Sequence, residues 1–299
     1  MGQMQLSKNF NIDSLIKDRE IKIFSDTKII KTKNLSSAFG CICEKVELLN
    51  GKKYVIKYKD KINNNKYRSV YYEGKSLLDM NKKFKNLFPI VHYLEKDMFI
   101  MDWIENNGKK NKFSEKDLAK KLSSIHSVKN DMFGYNYNTP IGGLEQPSQY
   151  NNNWIDFYRN SRLLMIFEII NNKEPMPSKV NKGIEKILNN LESLLPKTDV
   201  ASLIHGDLWT GNILYNNGNL AGLIDPAIHF AHIELELSSL TFLNVVSKKF
   251  FDEYREFIHL DFNYEERIGV YELYYALLNV YLWDRSYINQ TYDIIKKYT

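Results

Sequence analysis

The segment richest in groups that could do chemistry is His205-Gly206-Asp207-Leu208-Trp209-Thr210-Gly211-Asn212. Asn212 follows Asp207 by five residues, and Asp225 stands where a later β-like run ends, in Ile224-Asp225-Pro226. Transfer of a phosphoryl group from a nucleoside triphosphate needs a carboxylate at the acceptor hydroxyl and oxygen ligands that hold Mg²⁺ on the phosphates. One loop offers the carboxylate as Asp207 and a metal ligand as Asn212, and the next strand offers Asp225 as the second ligand. Asp and Asn beside Gly are also common turn formers. The shared register of the three residues favours catalysis over a turn.

Such a site needs elements that deliver the triphosphate. Val55-Ile56-Lys57 follows the hairpin signal Asn50-Gly51, so Lys57 is expected on a strand, where it would neutralise the α- and β-phosphates. Glu73, on the helix expected over 67–80, would orient it. The layout is that of H-R-D-x-x-x-x-N followed by D-F-G, with Gly206 in place of Arg and Asp225-Pro226-Ala227 in place of D-F-G. Ser36-Ser37-Ala38-Phe39-Gly40-Cys41 lies between two strands and could cover the phosphates, with Gly40 as its one glycine. Backbone groups of Asp102, Trp103 and Ile104, after the apolar run 97–101, could read adenine.

Residues 20–60 read as β-rich: Glu20 to Phe24 alternates, and strands are expected over 42–49 and 54–58. The lobe boundary falls near residue 103. Ser114, with Asp117 three residues on, predicts a capped helix start and a helix to about Ser127. Helices are expected over 151–172 and 179–195, with Pro175 and Pro177 between them. Short strands over 201–204 and 220–224 flank the turn at 216–218, and helices follow from about Glu234. The expected fold is α+β and two-lobed, with a small β-rich lobe over 1–102 that binds nucleotide and a larger helical lobe over 103–299 that carries catalysis and acceptor binding.

Composition narrows the function classes. The chain has 299 residues and 43% hydrophobic content, enough for a sizeable core. Its net charge of +5 is spread out, without a dense Lys/Arg block, so nucleic acid is not an expected partner. No run reaches membrane-spanning length, and Met1 to Leu6 lacks the features of a signal peptide, so a cytoplasmic enzyme is expected. Two cysteines, Cys41 and Cys43, make neither a disulfide scaffold nor a zinc site. Cys41 admits two readings, a small residue packed under a tight turn or a reactive thiol in the phosphate-covering loop. His126 reads as a structural histidine, and His232 with Glu234 as a hydrogen-bonded pair ahead of a metal pair.

Taken together these residues resemble the fructosamine kinase (ketosamine-3-kinase) family, within the aminoglycoside and choline phosphotransferase group of the protein-kinase-like superfamily. The match at 205–212 is specific, because Trp209 separates fructosamine kinases from the wider H-G-D-x-x-x-x-N group. Gly40-Cys41-Ile42, Phe133-Gly134, Trp154 with Phe157 and Arg162, Asp225-Pro226-Ala227, His232 with Glu234, and Tyr271-Glu272-Leu273-Tyr274 extend it over about 35–283. The resemblance implies a kinase-like fold, ATP with Mg²⁺, and phosphorylation of the 3-hydroxyl of a small or protein-bound ketosamine. Trp209 would meet the sugar ring or its amine. Ala231 departs from the family's Gly, and Asn279 and Tyr281 stand where the family tends to carry His and Asn. Other readings are a kinase for an aminoglycoside, choline or another small alcohol, and a catalytically silent nucleotide-binding module.

Overall fold

The computed structural model describes residues 12, 16, 19, 21–60, 70–261 and 263–299. The expected helix start at 67–69 and the Met1 to Leu6 segment lie outside them.

Among the described residues, the chain begins as an antiparallel sheet of five strands in the order β1-β2-β3-β5-β4. These are β1 (Ile29–Ala38), β2 (Cys41–Leu48), β3 (Lys53–Lys59), β4 (Val91–Leu94) and β5 (Met98–Asp102). Alternation decides which face each side chain takes. Tyr54, Ile56 and Tyr58 of β3 and Met98 and Ile100 of β5 join Val46, Leu48 and Ile21 in one cluster on the outer face. Val55, Phe99 and Met101 point the other way, into the core that continues through the helical lobe. Lys57 shares the parity of Val55 and therefore faces the inside.

Helix α1 (Val70–Lys83) packs across that inner face. Gly74 makes the approach close: a Cβ there would sit 2.6 Å from Leu94 Cδ1 and 3.1 Å from Phe99. The expected strand over 20–24 is not formed. Lys22–Phe24 is a turn of 3-10 helix, because Ile21 is buried and Ile23 and Phe24 press against the same outer cluster, so the apolar positions serve packing from outside a ladder.

The helical lobe holds α2 (Ser114–His126), the small strands β6 (Lys129–Asn130), β7 (Thr139–Ile141) and β8 (Leu144–Gln146), and a long helical stretch. That stretch runs as α3 (Trp154–Tyr158), a π-helical segment (Arg159–Leu164) and α4 (Met165–Lys173). Then come α5 (Ser178–Asn189), α6 (Leu191–Leu194), β9 (Ala201–Ile204), β10 (Ile213–Asn216), β11 (Asn219–Leu223), β12 (His229–Ala231), α7 (Ile233–Phe242), α8 (Lys248–Arg255), α9 (Tyr264–Leu282) and α10 (Tyr287–Ile295). Strand β9 lies between β12 and β6.

The helix at Ser114 starts where expected, but neither Ser114 nor Asp117 caps it. Ser114 Oγ donates to Gly218 O at 2.6 Å, and Asp117 Oδ2 accepts from the Leu220 N–H at 3.0 Å. Both side chains anchor the β10–β11 hairpin instead. The polar stretch 106–111 ties to the same hairpin, with the N–H groups of Asn107 and Gly108 each 3.0 Å from Tyr215 O. No helix among the described residues is long and apolar enough to cross a membrane.

Candidate active site

The loop over 205–212 leaves β9 at Ile204 and returns through β10, and its shape is fixed by backbone contacts. Gly206 has φ +84°, and a side chain there would collide with the Ala227 carbonyl oxygen, so the position where kinases carry Arg admits only Gly. Across the same gap the Ala227 N–H donates to His205 O at 2.8 Å, and the Ile224 N–H donates to Asn212 O at 3.1 Å. These two bonds pin the Asp225 segment to the loop. Asp225 itself has φ 52°, a left-handed conformation that an L-residue keeps only when its surroundings hold it, as is common at functional sites.

The structure brings Asp207, Asn212, Asp225, Lys57 and Glu73 together. Asn212, buried in a 3-10 turn (Thr210–Asn212), donates through Nδ2 to Asp207 O at 2.8 Å and to Asp207 Oδ2 at 3.1 Å. Lys57 is 3% exposed and its ammonium pairs with the Glu73 carboxylate and, at 2.9 Å, with Asp225 Oδ2. One ammonium thus links the sheet, α1 and the catalytic segment.

Trp209 is 46% exposed, and its ring lies against Gly211, where any side chain would collide with it. Gly40, with φ 72°, forms the turn between β1 and β2, and its carbonyl accepts from the Asp60 N–H at 2.9 Å. Of the three residues expected at adenine, Asp102 donates its N–H to Ile90 O at 3.0 Å and Trp103 donates to Lys53 O at 3.2 Å. The expectation therefore narrows to Ile104 on the donor side. The Asp102 carboxylate is engaged with His92 Nε2 at 2.6 Å.

The cysteines take the packed reading. Cys41 is the first residue of β2 and is buried, which removes the exposed loop thiol that redox chemistry would need. Cys43 pairs in register with Lys57, and burial pushes its thiol up to about 12, against the opposing pull of Lys57.

Sequence reasoning missed Glu236. This fully buried carboxylate on α7 accepts from the Gly206 N–H at 2.6 Å and the His205 N–H at 3.1 Å, and it meets His126 Nε2 at 2.8 Å. Burial alone would raise its pKa, but His126, His205 and the Gly206 N–H together hold it below the usual carboxylate range. His126 is held on its other side by the Tyr254 hydroxyl at 2.6 Å. His126 is thus buried in a hydrogen-bonded network, as expected, and through Glu236 it supports the loop that carries Asp207. A detectable signal exists: Glu234 and Glu236 alternate with Ile233, Leu235 and Leu237 at the start of α7, and carboxylates are rarely buried without partners.

His232 and Glu234 are joined by a hydrogen bond. His232 Nδ1 accepts the Glu234 N–H at 3.4 Å as the cap of α7, and the Glu234 carboxylate takes both Nε and Nη2 of Arg267, at 2.8 and 2.5 Å. Trp154 and Arg162 are both core residues. Trp154 Nε1 donates to the Tyr271 hydroxyl at 3.0 Å, and Arg162 donates to the carbonyls of Pro147 and Ser161, each at 2.7 Å.

Known proteins can be set beside this geometry. A probable ketoamine kinase of Enterococcus faecium is 26% identical over 203 residues, which is 67% of this chain and 71% of that protein. The chloroplastic protein-ribulosamine 3-kinase of Arabidopsis thaliana is 26% identical over 202 residues, 67% of this chain but only 61% of its own length. Among solved structures, a candidate fructosamine-3-kinase of Thermobifida fusca has the same fold, with a TM-score of 0.81 at 22% identity over 91% of this chain and 94% of that one. The aminoglycoside phosphotransferase APH(4)-Ia shares the fold more distantly, with a TM-score of 0.61 at 16% identity over 91% and 95% of the two chains, and a mutant of it has been solved with AMP-PNP and hygromycin B. The β-sheet lobe and helical lobe are thus those of the kinase-like phosphotransferases. The fructosamine kinase family model matches residues 16–299, and the chain belongs to that family.

Proposed function

We propose that the protein transfers the γ-phosphoryl group of ATP to the 3-hydroxyl of a ketosamine, a sugar joined to an amine, with Asp207 as the base. The observation that carries this reading is the single connected set: Lys57 held by Glu73 and Asp225, and Asp207 held by Asn212 on the loop facing them.

Each residue then has a part. The Asp207 carboxylate takes the proton of the acceptor hydroxyl as the new O–P bond forms and the bridging P–O bond of ATP breaks. Asn212 fixes that carboxylate through Nδ2 and keeps its amide oxygen as a donor for a cation. Asp225 adds a carboxylate. This pair of oxygen donors suits Mg²⁺, which binds through one or two protein groups and is completed by phosphates and water. No cluster of three or more His, Cys, Asp or Glu able to hold a metal occurs among the described residues, so phosphate oxygens would have to share in the shell. Mg²⁺, when bound, neutralises charge on the phosphates. Lys57 meets the α- and β-phosphates as a buried point charge, and Ile104 stands at the adenine end. Trp209, exposed on its Gly211 backing, offers a face to the sugar or the amine.

ADP release measured against fructoselysine, ribuloselysine, kanamycin and choline tests the proposal. Turnover of the ketosamines with a product phosphorus signal coupled to the proton on carbon 3 supports it. Turnover confined to kanamycin or choline moves the substrate class, and ATP binding without turnover on any of the four would refute the catalytic reading.

A further inference from the structure

The turn expected to cover the phosphates does not end in solvent. Strands β1 and β2 reverse on Phe39 and Gly40, both left-handed, with φ 53° and 72°. Gly accepts that conformation freely, whereas Phe holds it against an intrinsic penalty. Something must keep Phe39 there, and two contacts of its ring come from the other lobe. The Phe39 ring meets the Trp283 ring edge to face, with centroids 5.6 Å apart and planes at 69°. The same ring lies against the turn between β7 and β8, where a Cβ on Gly143 would be 3.1 Å from Phe39 Cδ1.

The seat under Phe39 is itself fixed. Trp283 is the residue that ends α9, and its N–H donates to Asn279 O at 3.0 Å. Leu282, beside it, packs on Gly142, whose φ of 54° forms the other half of the β7–β8 turn. One side of the Trp283 indole takes Phe39 while the residue as a whole stays 65% exposed, so its burial is not what holds it in place. Loops rich in glycine are loose until nucleotide orders them. This loop has a single glycine, Gly40, and an aromatic anchor at its tip.

We propose that Phe39 and Trp283 form a clasp between the lobes that holds the phosphate-covering turn over the cleft before nucleotide binds, which makes them positioning residues for ATP. The contact is independent of the proposed activity; what it covers rests on the phosphotransferase reading above. Nucleotide then meets a turn already ordered, and breaking the clasp makes binding supply that ordering. An edge-to-face aromatic pair is worth about a two- to tenfold change in an equilibrium constant. Losing it should raise KM for ATP by about that factor, leave KM for the acceptor unchanged, and leave kcat the same or higher, because ADP escapes more easily.

The test compares Phe39→Gly, Trp283→Ala, the pair combined, and Trp283→Phe. Phe39→Gly relieves the left-handed strain, so the hairpin should still form. Steady-state kinetics and calorimetric ATP binding are read for each. Trp283 emission, taken as the difference between wild type and Trp283→Phe, is compared with the same difference in a Phe39→Leu background. The expected result is a two- to tenfold weaker ATP in both truncations, a double variant no weaker than either single one, near-wild-type behaviour in Trp283→Phe, and altered Trp283 emission in Phe39→Leu without nucleotide. Unchanged ATP binding in the truncations, or effects that add in the double variant, would overturn the clasp alone. Wild-type protein that binds no ATP would overturn the clasp and the site reading together.

Discussion

Replacing Glu236 by Gln is the sharpest perturbation of the loop that carries Asp207. The carboxylate serves three donors: the Gly206 N–H on Oε1, and the His205 N–H and His126 Nε2 on Oε2. Glutamine keeps the shape but offers one acceptor oxygen, so its NH₂ group must face at least one backbone N–H. Leaving a buried donor without its acceptor costs about 1–3 kcal/mol, and more where the lost acceptor was charged. The loop loses its register as well as its stability, and a displacement near 1 Å at a catalytic group can cost about 100-fold in rate. Glu236→Gln should therefore lower the unfolding midpoint in urea and reduce kcat by about ten- to a hundredfold, with a smaller change in KM for ATP, because Lys57 and Glu73 stand on other elements. His126→Phe should be strongly non-additive with it, since both act on one network. The carboxyl is held below its ordinary range, so its contribution is present above the usual carboxylate pKa and is lost as pH falls through the lower folded value. A Glu236→Gln protein with wild-type kcat and an unchanged urea midpoint would show that the loop does not depend on this carboxylate.

Four further outcomes follow from the geometry. Asp207→Asn should lower kcat by at least about 100-fold while ATP still binds in calorimetry, and near-wild-type turnover would remove Asp207 as the base. Asn212→Ala and Asp225→Ala should each shift the Mg²⁺ titration of activity to higher concentration; two unshifted titrations would place the metal elsewhere. Trp209→Ala should raise KM for a ketosamine about tenfold and leave KM for ATP nearly unchanged, and the reverse pattern would put the indole on the nucleotide side. Burial lowers the pKa of His205, of His229 and, to about 3, of His232, so each is neutral in the folded protein and gains a proton on unfolding once pH drops below about 6.5. Stability should therefore fall as pH goes from 7 to 5, with a slope approaching about 1.4 kcal/mol per pH unit each for His229 and His232 and a contribution of the same sign from His205, and a flat urea midpoint over that interval would contradict this sign.

The parts of the site that were legible in the sequence are those whose partners are close in the chain or fixed by strand parity. Asp207 and Asn212 are five residues apart in one loop, so their spacing already places them together, and the structure adds the bond between them. Lys57 faces inward because β3 alternates, and the Asn50-Gly51 hairpin sets where β3 begins. The same local logic misled where two structures share one pattern. Ser114 and Asp117 have cap spacing, but a capping oxygen competes with any donor the fold brings near, and here the β10–β11 hairpin brings nearer ones. Ile21 and Ile23 alternate with Lys22 as a strand would, yet a 3-10 turn lying on the sheet leaves Ile21 buried and Ile23 packed on the outer cluster without a ladder.

What stayed hidden is tertiary in origin, and it falls on the residues that position the site. The His205 N–H is bonded to Glu236 across 31 residues and His126 to Glu236 across 110, so no local spacing encodes either bond. The motif at 205–212 reads clearly because it is short, but its three-dimensional shape depends on a carboxylate delivered by a separate helix. Gly206 shows how the two levels meet. Its type is visible in the motif as a departure from Arg, and only the Ala227 carbonyl packed against it explains why no side chain could stand there. A substitution there would be read from sequence as a loss of flexibility. The structure predicts more: Gly206→Ala would push Ala227, and with it the Asp225 carboxylate that pairs with Lys57, away from Asp207, so one methyl group should impair the base and the phosphate-binding pair at once.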